Sequence, residues 1–269
     1  MKDDRSEFFE TSFGRIHALK FGRGEHLLIA LHGFSDEARM FGVLEKPLSD
    51  KYTIIALDLP FHGQTEWHKN DFTQEDLLEI IIQILESEGK TRFSLLGFSF
   101  GARLAQAMLP DLASKLDQLF LLAPDGVKTK GLAAAERTPI WLRRSLFQLL
   151  KHPGWLLSLF DMARKLGLVS ASMHQFLSKN LSRPDRIQRT FGCWLSMDSF
   201  RIQPEKLREI LAETGLPTEV YVGSEDPFLD QNELKKFYKE LANVRLVVLE
   251  GEGHRIVGEW LAERIGKRI

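Results

Sequence analysis

Ser99 stands between Gly97 and Gly101 in "LLGFSFGARLAQA", where an aliphatic run gives way to a helical pattern. A serine at a sharp strand-to-helix turn can act as a nucleophile, because the strained turn presents its hydroxyl. The two glycines have a steric reason, since side chains there would collide with the strand and helix that cross beside the turn. The helix beginning near Phe100 adds free backbone N–H groups and a positive dipole end, which suit a developing oxyanion. A five-residue glycine and serine pattern is weak alone, so the other parts of the chemistry decide.

A serine nucleophile needs a base, and the base needs an orienting carboxylate. His254, in "LEGEGHR", directly follows the last aliphatic run. Asp226, in "VYVGSEDPF", ends the run before it. Both fall at carboxyl ends of expected strands, the edge where open α/β sheets bind ligands. Glu225 is the poorer acid, because adjacent residues at a turn point in different directions. Asp125, in "LLAPDG", ends a further run at the same edge and stays open as a rival.

The elements that must position these groups are written in the periodicity. "HLLIALHG", "YTIIALDLP", "RFSLLGFS", "LDQLFLLAP", "TEVYVGSED" and "VRLVVLEGEGH" are short aliphatic runs closed by turn residues. Such runs need cover on both faces, which implies parallel strands between helices. "FFETSFGRIHALKFG" before them predicts an antiparallel hairpin at the sheet edge. Helices are expected over "TQEDLLEIIIQILESEG", with Thr73 as cap and Asp76 three residues on, over "GARLAQAMLP", "DQNELKKFYKELAN" and "IVGEWLAERIGKRI". The fold class is therefore α/β: a mostly parallel central sheet of about eight strands flanked by helices. The alternation stops after the sixth strand, "LDQLFLLAP". From 126 to 204 only helix-like segments appear, which predicts a helical cap inserted into a core made of 1–125 and 205–269.

The 269 residues, 43% hydrophobic, suffice for a sizeable core, and a net charge of −1 gives no general pull toward nucleic acid. The single cysteine, Cys193, excludes an intrachain disulfide and a multi-cysteine metal site. The N-terminal stretch does not read as a signal peptide, and no apolar run is long enough to span a bilayer. A cytoplasmic location is the expectation. Charge is uneven, however: Gly126 to Lys206 holds fourteen Lys and Arg against five Asp and Glu. Trp141 to Gly167 interleaves Trp, Phe and Leu with Arg143, Arg144, Lys151, Arg164 and Lys165. That composition suits transient contact with an anionic membrane surface, or the drawing-in of an anionic substrate.

"LHGF", "DLPFHGQT", "GFSFG", "GSEDP" and "GEGH", in this order along nearly the whole chain, resemble the α/β-hydrolase family. The resemblance implies Ser99, Asp226 and His254 as a catalytic triad at a nucleophile elbow. It implies an oxyanion hole from the N–H groups of Phe34 and Phe100. His32, His62 and Asp58 are then loop architecture. Phe61 stands where that pattern commonly has glycine, and Ala102 where the elbow usually has a second one. The activity implied is a serine hydrolase needing no metal or organic cofactor, foremost a carboxylic ester hydrolase. Carbon–carbon bond cleavage on the same triad, or a non-catalytic signalling role, are the alternatives. Phe98 beside the nucleophile and Trp141, Trp155 and Trp194 of the cap are candidates for the pocket wall, so a small apolar or acyl substrate is expected.

Overall fold

Each aliphatic run becomes a strand of one sheet in the computed structural model, which describes residues 5–34, 36–125, 139–150, 158, 161–162, 164–165 and 184–265. The strands are β1 (Ser6–Thr11), β2 (Gly14–Phe21), β3 (His26–Leu31), β4 (Tyr52–Leu57), β5 (Glu66–Trp67), β6 (Phe93–Phe98), β7 (Leu116–Leu122), β8 (Thr218–Gly223) and β9 (Val244–Leu249). Their order across the sheet is β1-β2-β4-β3-β6-β7-β8-β9, and the two-residue β5 pairs with β2. β1 and β2 form the antiparallel hairpin, and β2 meets β4 antiparallel. From β4 to β9 all pairings are parallel. Every residue of β4, β6 and β8 is buried, which is why these strands read as unbroken apolar runs rather than alternating ones.

The helices are α1 (Glu45–Leu48), α2 (Gln74–Ser87), α3 (Phe100–Ala107), α4 (Leu109–Leu112), α5 (Ile140–Leu150), α6 (Pro184–Ser196), α7 (Pro204–Thr214), α8 (Gln231–Tyr238) and α9 (Glu259–Ile265). Thr73 and Asp76 close a reciprocal capping box on α2, and Asp230 caps α8 through the amides of Asn232 and Glu233. The last helix starts three residues later than its pattern suggests. β5, the four-residue α1 and α7 have no counterpart among the expected elements. β5 is too short to show a period, and α7 follows a proline that reads as a boundary but serves as its first residue.

Register brings the chemistry together. Leu31 of β3 lies opposite Gly97 of β6, so the loop of Phe34 emerges beside the turn of Ser99. Gly223 of β8 lies opposite Leu249 of β9, so Asp226 and His254 leave the sheet side by side.

Of the stretch 126–204, α5 and α6 pack on one another, while 126–138 and most of 151–183 lie outside the described residues. Arg143 of α5 overturns its expected place on a basic surface. It is 1% exposed, donates to the Trp194 carbonyl at 3.1 Å, pairs with Asp198 at 3.2 Å and stacks over the Trp194 ring at 5.5 Å. A guanidinium can be buried where a carbonyl, a carboxylate and an aromatic face receive it together. Arg144 is exposed. Arg143→Gln should therefore lower stability by about 1–3 kcal/mol, through the carbonyl left without its donor, while Arg144→Gln should fall within about 0.5 kcal/mol of the parent. Thermal melting of the two variants separates these outcomes.

Candidate active site

Ser99 adopts φ 52° and ψ −112°, a left-handed backbone that residues with a Cβ occupy only when their surroundings hold them there. Its N–H donates to Leu122 O at 2.8 Å, and its carbonyl receives Ala102 N at 3.0 Å and Arg103 N at 3.2 Å. A Cβ on Gly101 would stand 2.1 Å from Leu31 O, and one on Gly97 2.5 Å from Gly101 O. The two glycines thus let α3 press onto β3 and β6 directly behind the serine. All eight residues of α3 are buried.

His254 Nε2 lies 2.8 Å from Ser99 Oγ, and His254 Nδ1 lies 2.7 Å from Asp226 Oδ2. A carboxylate accepts only, so Nδ1 carries the proton and Nε2 is left to accept from the serine hydroxyl. Asp226 Oδ1 in turn accepts from Phe228 N at 2.8 Å. Its side chain is 1% exposed. The imidazole stands between the rings of Phe98 at 5.5 Å and Phe228 at 5.0 Å, which leaves it little freedom to turn. Asp125 is occupied elsewhere: Arg103 Nε and Nη2 grip its two oxygens at 3.0 and 3.1 Å.

The loop of Phe34 is held by two histidines. His32 Nδ1 lies 2.7 Å from Gly33 O, and its Nε2 accepts from Leu59 N at 3.0 Å. His62 Nε2 lies 2.5 Å from Phe34 O. Burial, reinforced by the neighbouring His62, pushes the His32 pKa down to about 3, and burial also lowers that of His62. His32 is therefore neutral near pH 7, and His62 faces a second carbonyl as well, with Nδ1 2.9 Å from Pro60 O. Asp58 organises the next loop, accepting from Ala38 N at 2.7 Å and Gln64 N at 2.9 Å and pairing with His17 at 2.7 Å. Burial raises its pKa, but the Ala38 and Gln64 amides and His17 outweigh that and hold it below the usual carboxylate range. His17 was not singled out in the sequence, where a histidine inside an edge strand carries no motif.

Around Ser99 lies a cavity of about 430 Å³, walled by Gly33, Phe34, Phe98, Phe100, Met197, Phe228 and Leu229 and reached by Asp125, Asp36 and Arg255. No described residue accepts from the N–H of Phe34 or Phe100. Trp141 and Trp194 are not among the described residues lining the cavity. Trp141 is 66% exposed, and Trp194 is taken up by Phe191 at 5.6 Å and by Arg143. Trp155 lies outside the described residues. Met197, Phe228 and Leu229 supply apolar wall in their place. Phe228 and Leu229 could have been found from their position just after Asp226, at the same sheet edge.

A mostly parallel sheet flanked by helices, with a serine, histidine and aspartate at its carboxyl edge, defines the class, the α/β hydrolases. The chain belongs to the alpha/beta hydrolase fold family, whose model matches residues 26–259. It is 27% identical over 254 residues to the uncharacterized hydrolase YugF of Bacillus subtilis (strain 168), covering 91% of this chain and 89% of that one. Its fold is similar to the thioesterase domain from the curacin biosynthetic pathway, with a TM-score of 0.67, 19% identity and coverage of 97% and 99% of the two chains. It is also similar to the carboxylesterase CesB from Bacillus subtilis, with a TM-score of 0.64, 15% identity and coverage of 97% and 88%. No described helix is long and apolar enough to cross a membrane.

Proposed function

We propose that the protein is a serine hydrolase that cleaves carboxylic esters with an apolar acyl group. The observation that carries this reading is the unbroken chain from Ser99 Oγ through His254 to Asp226 at 2.8 and 2.7 Å, opening into an apolar cavity. Ser99 Oγ attacks the ester carbonyl carbon as its proton passes to His254 Nε2, and the carbonyl π electrons move to oxygen. The N–H groups of Phe34 and Phe100 receive that oxyanion. Collapse re-forms the carbonyl and breaks the bond to the leaving oxygen, which takes the proton from His254. Water then repeats the sequence on the acyl-serine, releasing the carboxylic acid and restoring Ser99. Asp226 keeps the proton on Nδ1 throughout. The described helices α5 and α6 belong to the proposed cap, and Met197, just past α6, contributes to the cavity wall. A thioesterase and a carboxylesterase among the structural neighbours agree with this reading.

A series of p-nitrophenyl esters of graded acyl length tests it. The expected result is a kcat/KM that rises from acetyl to a medium-length acyl group, as apolar surface is buried, and falls once the chain outgrows the cavity. Failure to hydrolyse any member of the series would remove ester hydrolysis from consideration.

A further inference from the structure

Phe61 has φ 71°, a left-handed conformation in which a bulky residue is an outlier that persists only when its surroundings hold it. What holds it lies on α6. A Cβ on Gly192 would come within 2.6 Å of Phe61 Cδ2 and Cε2 and 2.7 Å of Cζ, so the ring fills the notch left by the missing side chain. The next residues of both segments also meet, with Cys193 Sγ 4.0 Å from His62 Nε2. One turn earlier, Arg189 reaches Glu37, just past the Phe34 loop, at 3.9 Å. α6 is thus fastened to the two loops that shape the candidate oxyanion site.

The fastening runs on to Phe34. His62, fixed beside Phe61, donates to Phe34 O and touches the His32 ring edge-on at 4.8 Å. His32 holds Gly33 O. The carbonyl of Gly33 and the N–H of Phe34 belong to one planar trans peptide unit, so fixing the first aims the second in the opposite direction. Binding Phe34 O pins the following peptide as well.

We infer that Phe61, Gly192 and His62 are positioning residues through which the docking of α6 sets the aim of the Phe34 N–H, so that the cap and the oxyanion site are coupled. This rests on the role given to Phe34 in ester hydrolysis above. It also accounts for the phenylalanine in a loop whose backbone invites glycine: the ring is the anchor for the cap helix.

The test uses Gly192→Ala, Phe61→Gly, the double variant, His62→Gln and His62→Leu in the full chain, with kcat and KM measured separately on the best p-nitrophenyl ester. Affinity for an alkyl boronic acid is measured alongside, because its tetrahedral adduct with Ser99 places an oxygen where the oxyanion would lie. Gly192→Ala and Phe61→Gly should each lower kcat by about 10²-fold, the loss that a misaimed group about 1 Å out of place brings. KM should stay within about twofold, and boronate affinity should fall in step with kcat. The double variant should lose no more than the worse single one, since the two changes break one contact. His62→Gln, which can still donate to Phe34 O, should outperform His62→Leu.

Losses confined to KM with unchanged boronate affinity, losses that multiply in the double variant, or equal activity of the two His62 variants would each overturn the coupling. If Gly192→Ala does not fold, Phe61→Gly decides alone, because glycine accepts φ 71° without strain, and its unchanged kcat would overturn the inference. A parent that neither reacts with a fluorophosphonate nor hydrolyses esters takes down the ester-hydrolase reading and this inference together. An active parent with unaffected variants takes down this inference only.

Discussion

Ser99→Ala is expected to reduce ester turnover by about 10⁶-fold, the scale seen when a serine nucleophile is removed from a working triad, while the protein folds as before. The fold is spared because alanine keeps the Cβ and the backbone demand at φ 52° is unchanged. Only one hydrogen bond, that to His254 Nε2, is lost. A fluorophosphonate should label the parent and not the variant, and persistent labelling would mean another nucleophile. Ser99→Gly sharpens the argument. It removes the hydroxyl and also relieves the left-handed strain, typically about 1–3 kcal/mol, so it should be inactive and melt no lower than the parent. On the proposed reading, a nucleophilic serine kept in a backbone that glycine would fill with less strain is stability given up for function.

Much of this site could be read before its geometry was known, because the chemistry sits where strands end. Ser99, Asp125, Asp226 and His254 each follow an aliphatic run, and parallel strands deliver their ends to one edge. The sheet order and the pairing of Leu31 with Gly97 then bring Phe34 beside Ser99, a neighbourhood that depends on long-range pairing and leaves no local trace. The aliphatic runs alone left Asp125 standing as a rival to Asp226, which the family resemblance favoured. Both end strands at the same edge, and what separates them in space is Arg103, four residues past Ser99 on α3, which takes both oxygens of Asp125.

The stretch 126–204 was the least legible part. Its composition shows that aromatic and basic residues are present but not which way they face, since a helix in a two-layer arrangement needs apolar surface on more than one side. Trp141 therefore looked like pocket wall and is exposed, and Arg143 looked like surface and is buried. The fastening of α6 escaped for a different reason. Phe61 was visible as a departure from a glycine pattern, but its partner Gly192 lies far along the chain, and only contact reveals that one residue's ring fills the other's missing side chain.

Asp226→Asn should cost on the order of 10⁴ in kcat, the loss found for the same exchange in the best-studied serine triad, and the geometry explains why so mild a change would be so costly. Asp226 Oδ1 accepts from Phe228 N at 2.8 Å, and Oδ2 faces His254 Nδ1 at 2.7 Å. An asparagine must keep its oxygen toward the Phe228 amide, which turns its NH₂ toward the imidazole. Facing a donor, Nδ1 becomes the acceptor and the proton moves to Nε2, where it points at Ser99 Oγ and blocks the base. Asp125→Asn predicts the opposite profile. It removes the charge opposite Arg103, whose side chain is 6% exposed, and breaking a buried pair typically costs about 3–5 kcal/mol. Melting should fall sharply while kcat in the folded fraction stays within about tenfold of the parent, because no bond from Asp125 reaches the imidazole. Steady-state kinetics and thermal melts of the two variants give the ranking directly, and a larger kcat loss in Asp125→Asn than in Asp226→Asn would transfer the acid to the end of β7.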